Sequence, residues 1–167
     1  MGEFNSKVKT LEELVELRRQ WRQEGQKLVF TNGCFDLLHG GHIWLLQQAK
    51  TWGNILLVAV NSDESVRLLK GPQRPIFPLE ERLEILSALE AVDYLLAFSE
   101  PTPHRIIAAL LPDVLVKGGD WAPDQVVGGR EVEAAGGRVV IIPYREGKST
   151  TEMVARIVNK DRKDTKG

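Results

Sequence analysis

The 167-residue sequence predicts an α/β fold in which a five-stranded parallel sheet carries helices on both faces. Short apolar segments alternate along the chain with segments whose apolar residues recur at helical spacing, as in parallel sheets with crossover helices. The segment ILLVAV at residues 55–60 is apolar throughout, which is typical of a strand buried on both faces. Glycine, basic and hydroxyl residues gather after the strands, as in sheets that bind ligands at their carboxyl edge.

The individual elements follow from apolar periodicity and from capping residues. Strands are predicted at residues 27–31, 55–60, 94–98, 114–117 and 139–143. Helices are predicted at residues 10–23, 42–52, 63–69, 78–91, 103–110, 129–135 and 150–159. Thr10 and Glu13 have the spacing of a capping box, and Ser62 stands where an N-cap belongs. Pro78 suits the first turn of its helix.

These elements divide the chain into three parts. Residues 1–26 are expected to form an N-terminal helical extension, and residues 160–167 a polar tail. Residues 27–159 are expected to form one Rossmann-like, doubly wound domain, and the length fits a single domain of ordinary size.

Composition and charge exclude several classes of function. Hydrophobic residues make up 43% of the chain, enough to build a core, so intrinsic disorder is excluded. The formal net charge of −1 argues against a general nucleic-acid binder. The apolar runs are too short for membrane insertion, and no signal peptide is recognised. Cys34 is the single cysteine, which excludes an intrachain disulfide and fits a reducing compartment, so we expect a cytoplasmic protein.

Four loops are expected to meet at the carboxyl edge of the sheet. Their sequences are NGCFDLLHGGH, NSDESVRLLKGPQRP, KGGDW and YREGKSTT. The opposite edge carries ordinary turns with the sequences QEGQ, WGN, AVD, LPD and AAGGR. Because ligands of doubly wound sheets bind outside the carboxyl ends of the strands, the first edge is predicted to hold phosphates.

The first of these loops has two histidines and two glycines. If a helix starts near Gly41, its N–H groups favour an anion, and His39 and His42 would flank the same place as hydrogen-bond donors. The loop has no nucleophile paired with a base, so direct transfer between two substrates is the simpler chemistry. Two alternatives remain open: a zinc site that includes Cys34, and histidines that only satisfy hydrogen bonds of the turn.

Charged and aromatic residues follow two other strands. Lys70 and Arg74 lie in a loop with glycine and proline that could close over phosphates. Lys117 ends an apolar strand, a position that is unusual for a lysine that only faces solvent. Asp120 could accept from the amino group of a base and Trp121 could stack on it; an Asx-turn with a packing tryptophan is the structural alternative.

The last loop contains Gly147-Lys148-Ser149-Thr150, which resembles the end of a P-loop. That motif requires a further glycine where this chain has Ile142, so the P-loop interpretation is rejected. Ser149 and Thr150 can still donate to phosphate from a helix start, and a plain N-cap is the alternative.

Five segments carry a resemblance to a known family: FTNGCFDLLHGGH, VAVNSDESVRLLKG, RPIFPLEERLEILSALEAVDYL, LLPDVLVKGGDW and EGKSTTEM. The first contains the H-x-G-H signature of the nucleotidyltransferase superfamily that includes cytidylyltransferases and pantetheine-phosphate adenylyltransferase. Together they most resemble the D-glycero-β-D-manno-heptose 1-phosphate adenylyltransferases, which in many bacteria are fused to a sugar kinase. The resemblance covers about residues 27–158, and because no kinase half is present we expect a stand-alone form.

The resemblance implies transfer of AMP from ATP to a heptose 1-phosphate, giving ADP-heptose for a lipopolysaccharide or another surface glycan, and pyrophosphate. It implies Mg²⁺ bound mainly through the triphosphate, with no metal site made by the protein. ATP and a sugar phosphate are the expected partners, and a homodimer is one assembly we consider. The alternatives are a cytidylyltransferase acting on a small polyol phosphate and a non-catalytic nucleotide-binding module.

The resemblance also implies roles for individual residues. His39, His42 and Lys70 are the implied catalytic residues, with the histidines stabilising charge at the α-phosphate and the lysine closing over the phosphates. The implied nucleotide-binding residues are Thr31, Asn32, Gly33, Phe35, Gly41, Lys117, Asp120, Ser149 and Thr150.

Three residues have no settled role from the sequence alone. Arg145 directly precedes Glu146, whereas related cytidylyltransferases read R-T-E-G, and Trp121 stands where this branch often has tyrosine. Asp36 could support a metal or could cap its own turn.

Overall fold

The sheet of the computed structural model, which describes residues 4–143 and 150–164, has five parallel strands. The strands are β1 (Leu28–Gly33), β2 (Ile55–Asn61), β3 (Tyr94–Phe98), β4 (Val114–Gly118) and β5 (Arg138–Ile142). Their spatial order is β3-β2-β1-β4-β5, with parallel pairing between all neighbours. This order confirms the predicted doubly wound fold, and it places the topological switch point between β1 and β4.

Helices connect and cover the strands. They are α1 (Phe4–Lys7), α2 (Leu11–Gln23), α3 (Gly40–Lys50), α4 (Asp63–Lys70), α5 (Leu79–Ser87), α6 (His104–Leu110), α7 (Gly129–Ala134) and α8 (Thr150–Asp164). A short 3-10 helix (Pro123–Gln125) follows β4; neither it nor α1 is predicted from the sequence. None of these helices, over the residues that the structure describes, is long and apolar enough to cross a membrane.

The core consists of two apolar clusters, one on each face of the sheet. Successive residues of β2 alternate between them: Leu57 lies with α2, α6 and α7, whereas Leu56 and Val58 lie with α3 and α5. Every residue of β2 is buried, as the continuous apolar run predicts. The N-terminal α2 contributes Leu14 and Trp21 to the first cluster, so this helix packs directly on the sheet.

Local capping signals place most helix starts correctly. The Thr10–Glu13 capping box is present, and the Ser62 side chain accepts from the N–H of Ser65. Most boundaries differ from the prediction by one or two residues, and α8 continues to Asp164, past the predicted end at residue 159. α3 begins at Gly40, before the predicted residue 42, because His39 caps it. α5 ends at Ser87, before the predicted residue 91, and the carbonyl of Leu89 accepts from the Lys7 ammonium at 3.2 Å.

Candidate functional site

The candidate site lies where β1 and β4 separate at the carboxyl edge of the sheet. β1 pairs with β2 along its whole length, but its pairing with β4 within the described part of the chain ends at Phe30 and Leu115. Thr31, Asn32 and Gly33 therefore continue β1 past its last partner in β4. This is the crevice in which doubly wound proteins bind their ligands.

The turn that follows β1 fixes the two histidine rings. His39 is the N-cap of α3, and its Nδ1 accepts from the N–H of Gly41 at 3.1 Å. The Nδ1 of His42 accepts from the N–H of His39 at 3.3 Å, and the two ring centroids lie 3.9 Å apart. Because each Nδ1 is an acceptor, the proton of each neutral ring lies on Nε2. The turn therefore holds both imidazoles as Nε2–H donors.

This geometry corrects one detail of the sequence interpretation. The N–H of Gly41 is expected to face an anion, but in the structure it is used by His39. The glycine therefore orients an imidazole, and the turn presents side-chain donors where a bare helix start was expected. The alternative expectation, that the histidines satisfy hydrogen bonds of the turn, therefore holds for the Nδ1 atom of each ring.

His42 is held in its neutral form. Burial, helped by the nearby His39, lowers the pKa of His42 from 6.5 to about 4. Phe35 contributes to the packing around this ring, with ring centroids 5.4 Å apart. His42 is therefore a hydrogen-bond donor at neutral pH and carries no charge there.

Phe35 has a left-handed backbone, with φ of 48°, and its side chain is buried. A Cβ atom on Gly33 would lie 3.0 Å from the Phe35 ring, tighter than nearly all real contacts. A larger residue at position 33 would push on the Phe35 ring, so Gly33 lets this ring lie close to β1 and pack beside His42. Strain of this kind is typical of functional turns.

Two lysines act on the same part of the edge. Burial lowers the pKa of the Lys117 ammonium; Cys34 opposes this shift and the positive charge of Lys70 adds to it. Burial raises the pKa of the Cys34 thiol, although Lys70 is the strongest of the charges that oppose the increase. The Lys117 ammonium lies 5.5 Å from the centre of the Trp121 ring, within cation–π range. The ends of α4 and β4 thus each bring a lysine within electrostatic range of Cys34.

Asp36 has partners outside its own turn. Its Oδ2 accepts from Nε of Arg74 at 2.5 Å, and its Oδ1 accepts from the N–H groups of Ile76 at 2.7 Å and Phe77 at 3.0 Å. Burial alone would raise the pKa of this carboxyl, but these bonds outweigh it and hold the pKa below its usual value. Asp36 therefore neither caps its own turn nor offers an open oxygen pair to a metal. Arg74, expected to close over phosphates, is paired with it.

Arg82 is the residue at this edge that the sequence interpretation missed. Its side chain is fully buried on α5, and its guanidinium donates to the carbonyls of Phe77, Cys34 and Asn61 and to Asp63. A charged residue between two leucines of an amphipathic helix was the available signal, but helix periodicity alone places it at the border of the apolar face.

Of the remaining residues singled out in the sequence, Asp120 and Thr150 lie in the described part of the chain. Asp120 is exposed and follows the left-handed Gly119, and Thr150 is the first residue of α8. Ser149 and Arg145 lie outside the described residues. Over the described ranges 4–143 and 150–164, histidine, cysteine and acidic side chains form no group of three or more that could hold a metal ion.

The strand order, the crevice between β1 and β4 and the turn of His39 and His42 (the imidazole turn) define a class: doubly wound α/β proteins with hydrogen-bond donors at the carboxyl edge of the sheet. The sequence matches the model of the cytidylyltransferase-like family over residues 30–163, and the chain belongs to that family.

Two curated relatives narrow the comparison. The chain is 50% identical over 153 residues to the bifunctional protein HldE of Geotalea uraniireducens, a match covering 92% of this chain and 31% of that one. It is 52% identical over 147 residues to HldE of Edwardsiella ictaluri, covering 88% of this chain and 31% of that one. The chain thus spans about a third of the length of these curated relatives.

A solved structure agrees with this assignment. The crystal structure of a lipopolysaccharide core biosynthesis protein from Thermoplasma volcanium GSS1 superposes with a TM-score of 0.58 at 28% identity. The superposition covers 74% of this chain and 100% of that chain.

Proposed function

We propose that this chain transfers AMP from ATP to a heptose 1-phosphate and releases pyrophosphate. The observation that carries the transfer reaction is the turn of His39 and His42, which holds two Nε2–H donors at a helix start on the carboxyl edge of the sheet. The acceptor is supported by about 50% identity to the bifunctional proteins HldE over about nine tenths of the chain. Resemblance of five segments to heptose 1-phosphate adenylyltransferases supports it as well.

The chemistry needs positioning and charge stabilisation more than covalent catalysis. An oxygen of the acceptor phosphate attacks the α-phosphorus of ATP, a new P–O bond forms, and the bond to the bridging oxygen of pyrophosphate breaks. Negative charge increases on the oxygens of the transferred group as this happens. His39 and His42 stabilise that charge by donating from Nε2, and neither has to give up its proton.

Other residues of the edge hold the substrates in this proposal. Lys70 and Lys117, at the ends of α4 and β4, bind phosphate oxygens. The lowered pKa of Lys117 fits a partly buried lysine whose charge is balanced by a bound anion. Thr31, Asn32 and Gly33 form the floor of the crevice. The implied contacts of Asp120 and Phe35 with the nucleotide, and of Ser149 and Thr150 with the β- and γ-phosphates, belong to the same proposal.

Mg²⁺ is proposed to reach the site bound to the triphosphate. Asp36, the carboxylate considered for it, has both oxygens engaged, and the described residues contain no cluster of three potential ligands. An ion that keeps most of its waters and binds through phosphate oxygens fits this surrounding. When bound, it would neutralise charge on the triphosphate.

One alternative retains the reaction and changes the substrates. Trp121 is 45% exposed beside Lys117, and the family includes cytidylyltransferases, so CTP with a small polyol phosphate is the second candidate. We favour ATP because the five segments together are closer to the adenylyl branch.

The test is pyrophosphate release with a matrix of substrates. ATP and CTP are each combined with heptose 1-phosphate, glycerol 3-phosphate and a pantetheine phosphate, and the sugar-nucleotide product is identified by mass. We expect turnover with ATP and heptose 1-phosphate. A clear preference for CTP or for another acceptor contradicts the substrate assignment, and tight ATP binding without pyrophosphate release from any pair contradicts the enzyme itself.

A further inference from the structure

The last turn of α4 is not held in place by packing. Only Ser65 and Val66 of this helix are buried, and residues 67–70, which include Lys70, are exposed. Leu68 is 78% exposed and Leu69 55% exposed, so the apolar side chains of this turn add little to its position. The packing of α4 itself therefore restrains Lys70 little, and the next segment of the chain is its immediate neighbour.

That segment, residues 71–77, is fixed at its far end. Gly71 has φ of 103° and turns the chain away from the helix, and the N–H of Arg74 donates back to the Gly71 carbonyl at 3.1 Å. Arg74, Ile76 and Phe77 then all donate to the Asp36 carboxylate. The Asp36 side chain is 1% exposed and that of Arg74 is 19% exposed, so this ion pair is shielded from water.

Asp36 is itself attached to the imidazole turn. It directly follows Phe35, whose ring packs against His42 with centroids 5.4 Å apart. Arg82 joins the same two segments again, since it donates to the carbonyls of Cys34 and Phe77. The carboxylate therefore links the loop of the histidines to the loop that comes after Lys70.

We propose that Asp36, paired with Arg74, is a positioning residue that holds segment 71–77 against the imidazole turn and so fixes Lys70 over the phosphates. This rests on the proposed function, because it assumes that Lys70 binds the triphosphate. Arg74 then serves catalysis through Asp36 and does not itself bind phosphate.

Two variants break the pair from opposite sides. Asp36→Asn keeps an oxygen for the two backbone N–H groups and loses the charge that faces Arg74; Arg74→Met removes the guanidinium and leaves the rest of the loop. We expect each to lower kcat/KM for ATP by the same factor, on the order of 10-fold, as expected for residues that act as one unit. Arg74→Lys should recover part of the loss, because it restores a positive charge without the planar fork.

The decisive measurement is a cycle with Lys70→Ala. If Asp36 acts through Lys70, adding Asp36→Asn to Lys70→Ala should cause no further loss of kcat/KM. Asp113→Asn is the matched control: Asp113 also accepts from an arginine and a backbone N–H, but at the amino edge of the sheet. All variants are assayed well below their Tm, and the control should keep wild-type kinetics.

Several outcomes overturn the proposal. If the losses of kcat/KM in Asp36→Asn and Lys70→Ala multiply fully in the double variant, Asp36 does not act through Lys70. Wild-type kinetics for both Asp36→Asn and Arg74→Met mean that the pair has no positioning role, and a loss only with Arg74→Met returns Arg74 to the phosphates.

ATP titration by calorimetry separates this proposal from the proposed function. Lys70→Ala that binds ATP as the wild type does removes the basis of the inference. A wild type that binds ATP with the help of Lys70 but releases no pyrophosphate refutes the enzyme and leaves the positioning role measurable as ATP affinity. In that case equal affinities of Asp36→Asn and wild type would refute the positioning role.

Discussion

Each edge of the sheet has a buried arginine. The two arginines make similar hydrogen bonds but connect different parts of the molecule. At the amino edge, Arg18 of α2 donates to the carbonyls of Leu110 and Leu111 and to Asp113. At the carboxyl edge, Arg82 of α5 likewise donates to backbone carbonyls and to one carboxylate. Both guanidiniums are satisfied by fixed oxygens, as buried charges must be.

The two arginines connect different segments of the chain. Arg18 ties α2 to the end of α6, where Leu111 has a left-handed backbone with φ of 41°, and to the turn that leads into β4. Arg82 ties together the loop before the histidines, the end of β2 and the loop after Lys70. Both arginines are buried, but Arg18 connects only elements of the fold, whereas Arg82 also connects loops of the candidate site.

The largest effects on stability should come from removing these arginines. Arg18→Met and Arg82→Met should each lower the free energy of unfolding by about 3 kcal/mol, because buried carbonyls and a carboxylate lose their donor. Only Arg82→Met should also lower kcat/KM of the folded protein, by roughly 10²-fold, as misplacement of site groups by about an ångström does. Urea unfolding and pyrophosphate release at low temperature measure the two quantities.

The comparison fails if Arg18→Met lowers kcat/KM as strongly as Arg82→Met at a temperature where both variants are folded. Arg18→Lys and Arg82→Lys provide the conservative controls. They keep the charge but cannot reproduce the several directed N–H bonds of a guanidinium.

The largest effect on kcat, with little effect on stability, is expected for the imidazole turn. His39→Ala and His42→Ala should each lower kcat by roughly 10²–10³-fold, the loss typical of removing one preorganised donor to a developing charge. ATP affinity should change less, because the contact strengthens as charge builds on the α-phosphate. Single-turnover kinetics and ATP titration separate the two effects, and His42→Ala should cost at least as much as His39→Ala.

His104 supplies a control for the histidine variants. It lies on α6, with Nε2 2.6 Å from a carboxylate oxygen of Glu131, and it is exposed. His104→Ala should therefore leave kcat unchanged. Normal turnover by both His39→Ala and His42→Ala would refute the role proposed for the turn.

A smaller effect is expected in the pH dependence of stability. The folded pKa of His42 is about 4, below the unfolded value of 6.5, so the unfolded chain binds a proton in this range that the folded chain does not. Stability should therefore be unaffected by His42 above pH 6.5, fall as the pH drops toward 4, and be lowered by on the order of 2–3 kcal/mol there. Denaturation of wild type and His42→Gln across this range measures the difference.

The pH prediction also has a kinetic part. Because His42 donates as a neutral ring, kcat should show no loss from its protonation near pH 6.5. Parallel stability curves for wild type and His42→Gln would contradict the lowered pKa.

The smallest effect is expected for Cys34. Its Sγ lies 3.9 Å from Oδ1 of Asn61, and burial raises the pKa of the thiol, so it is protonated and unreactive at neutral pH. Cys34→Ser should keep wild-type kcat and change the free energy of unfolding by less than about 1 kcal/mol. Stoichiometric zinc in the purified wild type, lost in this variant, would support the metal alternative instead.

Much of the fold could be predicted because its signals are local. The apolar run of β2, the capping box of Thr10 and Glu13 and the N-cap at Ser62 each depend on residues a few positions apart. The alternation of strands and helices then requires parallel pairing, and parallel pairing places the loops after the strands at one edge. For this reason the sequence alone indicates where the histidines and lysines gather.

The bonds that join these loops could not be predicted, because they connect residues far apart in the chain. Arg74 meets Asp36 across 38 positions, Arg82 meets Cys34 across 48, and Lys7 reaches Leu89, just after α5, across 82. Periodicity and capping describe only neighbours within a turn or two, so they report a charged residue without its partner. The sequence by itself determined that two histidines lie at the carboxyl edge of the sheet; only the tertiary structure decided which groups orient them, because a buried charge takes its partner from whichever segment the fold brings beside it.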